Sequence, residues 1–173
     1  RFYEDARELA RLLTTWSLTL RSQSQHHRFV VTSGGGGGVM EAANRGAWDV
    51  EAPSIGLNIT LPMEQHPNSY IAPELCFQFH YFAIRKMHFL MRAKAVAAFP
   101  GGFGTLDELF ESLTLMQTGR MKRMPILLFG REFWSRIVNF EALAEEGVIS
   151  PEDVKMVTFV DTAEDAWNVI ADF

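Results

Sequence analysis

The sequence predicts an α/β fold: a doubly wound parallel sheet flanked by helices, built as a single domain over residues 1–173. Two observations carry this expectation. Short apolar runs alternate with stretches of helical periodicity along the chain, the pattern of successive strand–helix units. Two strand-to-helix junctions, at residues 34–38 and 100–104, are rich in glycine. Parallel sheets bind ligands beyond the carboxyl ends of their strands, so both turns belong on the ligand edge. No internal repeat competes with this reading, and the only low-complexity piece is the five-glycine run.

The elements follow in order. Phe2, Ala6, Leu9, Ala10, Leu12 and Leu13 are spaced by Glu4, Asp5, Arg7, Glu8 and Arg11, which predicts an amphipathic helix over residues 2–16. Residues 21–27 are polar and read as a loop, and 28–32 as a strand. After the glycine run, 39–48 suits an Ala-rich helix ending near Asp49. Residues 54–59 form a strand, and 61–68, with two prolines, a loop. A short strand at 75–79 precedes a helix at 81–92. Residues 93–99 read as a buried strand and 109–116 as the helix after the second glycine turn. A strand at 125–129 closes at Gly130, a helix runs over 133–145, and a strand at 157–160 leads into a last helix at 163–170.

Composition narrows the function classes. Hydrophobic residues make up 47% and charged residues 21% of 173, enough for one domain with a real core. The net charge of -5 argues against a nucleic-acid surface. The single cysteine, Cys76, excludes an intrachain disulfide framework, which points to an intracellular, cytoplasmic protein. Cys76 itself reads as a small packed hydrophobe. No apolar run approaches the ~20 residues of a membrane span, so no membrane partner is expected. The start does not resemble a signal peptide; a helix begins almost at once, and a first strand is expected ahead of it. The five histidines lack metal-ligand spacing, with His26 and His27 in a polar loop and His80 and His88 without spaced partners.

The second glycine turn is the most informative stretch. Pro100, Gly101, Gly102, Phe103 and Gly104 join a strand to a helix start, where exposed N–H groups and the positive helix end make an anion site. Thr105 stands ready to donate a hydroxyl, and Glu108 brings a carboxylate into the first turn. A phosphate cradle beside a carboxylate points to chemistry on a phosphorylated substrate. Thr105 and Glu108 also fit the Ser/Thr-x-x-Glu capping box, which would make Glu108 a helix cap worth about 1 kcal/mol. Asp107 reads as a helix-start charge.

The first turn, Gly34 to Gly38, can be read as a flexible linker or as a ligand loop. Its place between a buried strand and a crossover helix favours the ligand loop, because glycines there let N–H groups converge on an anion. The dinucleotide fingerprint fails, since its third glycine falls on Val39, and no Gly-Lys-Ser/Thr follows any glycine pair. Arg85 and Lys86 are adjacent helix cations, ordinarily solvated, but Phe82, Ile84, Met87 and Phe89 form an apolar wall around them. A cation held against such a wall suits an anion or a leaving group.

These residues resemble the cytokinin-activating phosphoribohydrolases of the Lonely Guy family, often labelled lysine decarboxylase-like. The resemblance rests on Pro-Gly-Gly-x-Gly-Thr-x-x-Glu at 100–108, the Arg85-Lys86 pair, and the glycine run followed by Met-Glu-Ala-Ala-Asn at 40–44. The segments at 54–59, Leu61-Pro62 and Glu64-Gln65 resemble the longer, bacterial-type branch, and Gln117-Thr118-Gly119 extends the match. It covers most of the chain, from about Tyr3 to Ile170. Gly37 departs from it, standing where that branch usually has proline.

The resemblance implies a Rossmann-like fold. It implies a hydrolase that cleaves the N-glycosidic bond of a nucleoside 5′-monophosphate, AMP or a cytokinin riboside monophosphate, to free base and ribose 5-phosphate. Glu108 would stabilise the oxocarbenium-like transition state or orient water, and Arg85 would bind the ribose phosphate or stabilise the departing base. Gly35, Gly36, Gly37, Gly38, Gly101, Gly102, Gly104 and Thr105 would hold the phosphate, with Met40, Glu41 and Lys86 as further substrate contacts. No cofactor and no metal are expected. A homodimer is implied, with Phe77, Phe79, Tyr81, Phe82 and Met87 as its candidate interface. The alternative is a non-catalytic nucleotide- or molybdenum-cofactor-binding protein of the same superfamily. Lysine decarboxylation is a weaker third reading, since it normally needs pyridoxal phosphate.

Overall fold

The apolar stripe at the start of the chain folds as α1 (Phe2–Gln23). It continues past the predicted end at Trp16, and the threonine hydroxyls on either side of that point are bonded within the helix. Thr15 Oγ1 donates to the Arg11 carbonyl at 2.8 Å and Thr19 Oγ1 to the Trp16 carbonyl at 2.7 Å. The computed structural model describes residues 1–23, 29–61 and 66–173, with the side chains of 21–23 left aside. The rest of the predicted loop at 21–27, with His26 and His27, lies outside the described residues, as do Arg28, Pro62, Glu64 and Gln65. The chain divides into two units, Arg1–Arg92 and Ala93–Phe173.

In the first unit, Ala6, Leu9 and Ala10 of α1 are buried together with Ala42 and Ala47 of α2 (Val39–Trp48). The helices touch at Gly46, where a Cβ would collide with the Arg7 carbonyl and lie 2.7 Å from Ala10 Cβ. The sheet is parallel in the order β1 (Thr32–Ser33), β2 (Ile55–Ile59), β3 (Cys76–Phe79). Gly56 pairs with Ser33 on one side and with Cys76 on the other. The strand predicted at 28–32 forms its ladder later, at Thr32 and Ser33, although the Val31 carbonyl still accepts from Ile55 N at 2.9 Å. Phe29 instead stacks on Trp16, with centroids 5.0 Å apart. After β3 comes α3 (Phe82–Met91), close to its predicted bounds.

The second unit repeats the strand–helix alternation: β4 (Val96–Ala98), α4 (Phe103–Gln117), β5 (Ile126–Phe129), α5 (Arg131–Ile137), α6 (Phe140–Glu145), α7 (Pro151–Val154), β6 (Val157–Val160) and α8 (Ala163–Ala171). Its sheet is also parallel, with β5 between β4 and β6. All four residues of β5 are at most 1% exposed, as a parallel strand covered on both faces requires. Around it pack Ala98, Leu109, Met116, Trp134, Phe140 and Met156.

The helix predicted over 133–145 is two helices. Val138 is extended, with φ -134° and ψ 124°, and Asn139 caps α6 by accepting from Ala142 N at 3.0 Å. The short α7 was not expected from the sequence. It begins at a Ser150–Asp153 capping box, with Pro151 in the first turn. The α/β class is as predicted, with parallel sheets flanked by helices. Its described strands pair as two three-stranded ladders. No helix among the described residues is long and apolar enough to cross a membrane.

Candidate active site

The predicted site residues fall into two groups, one in each unit. The first is built on the turn between β1 and α2. Gly35 and Gly38 have φ of 74° and 66°, a region L side chains rarely adopt, so glycine is required at both. Gly37 has no positive φ, and a Cβ there would meet open space. The sheet side of the loop is fully engaged. Gly35 N donates to Ser33 Oγ at 3.0 Å, and the Gly35 carbonyl accepts from Asn68 N at 2.8 Å. Among the described residues, nothing accepts from the N–H groups of Gly36, Gly37 or Gly38. Gly38 is the N-cap of α2 and offers no capping side chain, so the helix start is open to an anion.

Arg85 reaches this turn from α3. An ideal Cβ on Gly34 would lie 3.8 Å from Arg85 Nη1 and 2.6 Å from the Met40 sulfur. The guanidinium sits over two rings, 5.1 Å from the Phe82 centroid and 5.6 Å from that of Phe89. Gly34, Met40 and Arg85 therefore meet, and the apolar wall read from the sequence holds the cation beside the glycine loop. Lys86 is half-buried on the same helix. Glu41 is engaged elsewhere: its Oε1 accepts from Tyr3 Oη at 2.8 Å, which ties α2 to α1.

The second group is built on the turn between β4 and α4. The helix starts earlier than predicted, with Gly102 as N-cap and Leu106 N bonding the Gly102 carbonyl at 3.2 Å. The N–H groups of Gly102, Phe103, Gly104 and Thr105 thus precede the first intrahelical bond, and no side chain caps them. Thr105 lies inside the first turn with its hydroxyl folded over Gly101, where a Cβ would collide with Oγ1. Thr105 is therefore not the N-cap, and the Thr105–Glu108 capping box does not form. Glu108 stands in the second turn, as does Asp107, so neither is the first-turn charge the sequence suggested. Glu108 is half-buried with Oε2 shielded from solvent, and its carbonyl accepts from Ser112 Oγ at 2.7 Å.

A cavity of about 430 Å³ in the second unit is not this site. It is lined by Leu106 and Phe110 of α4 together with Ile137, Val138, Asn139 and Leu143. Glu108 is two residues from both α4 residues, about 200° round the helix, and faces away. Among the described residues, no three His, Cys, Asp or Glu side chains cluster as a metal site. Cys76 is half-buried, and burial pushes its thiol pKa up.

Sequence reasoning missed the polar network beneath the glycine loop. Asn44, fully buried, accepts from Ser33 Oγ at 2.6 Å and donates to Ser54 Oγ at 2.8 Å. Asn68 joins it from the segment after the two prolines, with Nδ2 3.0 Å from Asn44 Oδ1. The available signal was Asn44 on the apolar side of an Ala-rich helix, where a polar group needs partners.

Comparison with known proteins matches residues 40–170 to a family described as "Possible lysine decarboxylase". The chain belongs to this family. Curated relatives carry a different name. A probable cytokinin riboside 5′-monophosphate phosphoribohydrolase, LOGL3 of Oryza sativa subsp. japonica, is 30% identical over 90 residues, 51% of this chain and 43% of its own length. LOG1 of Arabidopsis thaliana, a cytokinin riboside 5′-monophosphate phosphoribohydrolase, is 30% identical over 90 residues, 51% of this chain and 42% of its own. LOG3 of the same plant, with the same printed activity, is 33% identical over 82 residues, 47% and 38% of the two chains. The chain thus spans less than half the length of each relative. The Lonely Guy resemblance read from the glycine motifs is the family these comparisons find.

Proposed function

We propose that this family member hydrolyses the N-glycosidic bond of a nucleoside 5′-monophosphate, AMP or a cytokinin riboside monophosphate, to free base and ribose 5-phosphate. The convergence of Arg85, Met40 and the Gly34 turn carries the reading, because it puts a fixed cation beside a loop with open N–H groups. The names of the plant relatives support the reaction class.

In this mechanism Gly35, Gly36, Gly37 and Gly38 are phosphate contacts, with the open amides those of Gly36–Gly38, and Gly101, Gly102, Gly104 and Thr105 are the further phosphate contacts that the family resemblance implies. Met40 and Lys86 are further substrate contacts. As the C–N bond lengthens, positive charge grows on the ribose ring. Glu108 stabilises that oxocarbenium-like charge or orients the attacking water. Arg85 binds the phosphate or stabilises the departing base. Water ends on the anomeric carbon and its proton leaves with the base. No step calls for a metal or a cofactor.

The protein acts in the cytoplasm as a homodimer in this account. Phe77, Tyr81, Phe82, Ile84, Met87 and Met91 are each 46–69% exposed, an apolar surface that suits burial against a second copy. The test is incubation of purified protein with AMP, assaying adenine and ribose 5-phosphate. Equimolar products support the hydrolase. Nucleotide binding by calorimetry without products supports the non-catalytic alternative and overturns this reading.

A further inference from the structure

We infer that Asn68 is a positioning residue for substrate phosphate, holding the first glycine loop with its carbonyls turned in and its N–H groups turned out. The inference rests on the function proposed above. The geometry is specific to an amide. Asn68 Nδ2 faces three oxygens: the Gly35 carbonyl at 3.2 Å, the Gly36 carbonyl at 3.0 Å and Asn44 Oδ1 at 3.0 Å. Its Oδ1 accepts from Tyr70 N at 3.1 Å, an Asx turn that locks the side chain. The backbone adds a further tie, with Asn68 N donating to the same Gly35 carbonyl at 2.8 Å.

The peptide plane explains why these contacts matter. The carbonyls of residues 35 and 36 belong to the peptide units that carry the N–H groups of Gly36 and Gly37. Within a trans peptide the two groups point in opposite directions. Pulling both carbonyls toward Asn68 therefore aims both N–H groups the other way. Asn44, anchored to Ser33 and Ser54, fixes the far end of the clamp. A glycine run has little stiffness of its own, so its shape must be imposed by a neighbour.

Asn68→Asp is the sharp test. It keeps the Asx acceptor but sets a carboxylate against three oxygens. The KM for AMP should rise about tenfold or more while kcat stays within about threefold, because uniform binding of the phosphate is lost. A merely structural role would lower the melting temperature and the active fraction and leave KM unchanged; that result overturns the inference while the hydrolase stands. If the wild type neither hydrolyses AMP nor binds ribose 5-phosphate, the proposed function falls and the inference with it. Should the variant fail to fold, titration of the wild type with inorganic phosphate, followed by backbone amide NMR, decides. Shifts centred on Gly36 and Gly37 support the clamp, and shifts that leave both amides unmoved overturn it.

Discussion

Arg85 and Phe82 lie in contact on successive turns of α3, with the guanidinium carbon 5.1 Å from the ring centroid. Phe89 bounds the same cation at 5.6 Å. Two rings on one helix restrain a long side chain that would otherwise range through solvent, and they leave its outer nitrogens near Gly34.

Arg85→Lys should therefore be costly. An ammonium does not stack as a planar fork does and cannot bind phosphate bidentately. The kcat/KM for AMP should fall at least about tenfold, with a melting temperature close to wild type. An unchanged kcat/KM would remove Arg85 from the reaction.

Gly46→Ala tests the packing of α1 on α2. In an open helix this change stabilises by about 0.5–1 kcal/mol. Here a Cβ would meet the Arg7 carbonyl and Ala10, so α1 must shift, at a cost of about 1–3 kcal/mol. Thermal melts should show a lower midpoint, the reverse of the ordinary sign.

Acid should weaken the same helix pair. The Arg7 guanidinium, 2.5 Å from Asp49, holds that carboxyl below the usual carboxylate range. Arg11 does the same to Glu8. A depressed folded-state pKa contributes stability above the unfolded value, near 3.9 for Asp, and the contribution is lost as pH falls through the folded one. Melts of the wild type and Asp49→Asn between about pH 2.5 and pH 7 should differ most near neutrality and converge below about pH 4. A constant difference across that range would show that the pair is not responsible.

Much of the fold was legible because the signals were local. The helix Val39–Trp48 and the strand Val157–Val160 lie where periodicity placed them. The misplacements lie where side chains bond their own backbone. Past Trp16, α1 continues with the Thr19 hydroxyl bonded to its own helix, and Asn139 caps α6 within the stretch predicted as one helix over 133–145. In the candidate site, the glycine turns and Arg85 were readable from composition and spacing. The start of α4 was not. The box-like spacing of Thr105 and Glu108 suggested a cap, whereas Gly102 begins the helix. Asn68 was unreadable because its partners are backbone carbonyls more than thirty residues away in sequence.

That revision bears directly on Glu108. Glu108 stands in the second turn outside any capping box, and glutamine keeps its length and its helix propensity there. The decisive measurement is the release of adenine and ribose 5-phosphate from AMP by purified wild type and Glu108→Gln, side by side. The account predicts turnover by the wild type and a loss of about a thousandfold in the variant at an unchanged melting temperature. Full activity in Glu108→Gln would contradict it.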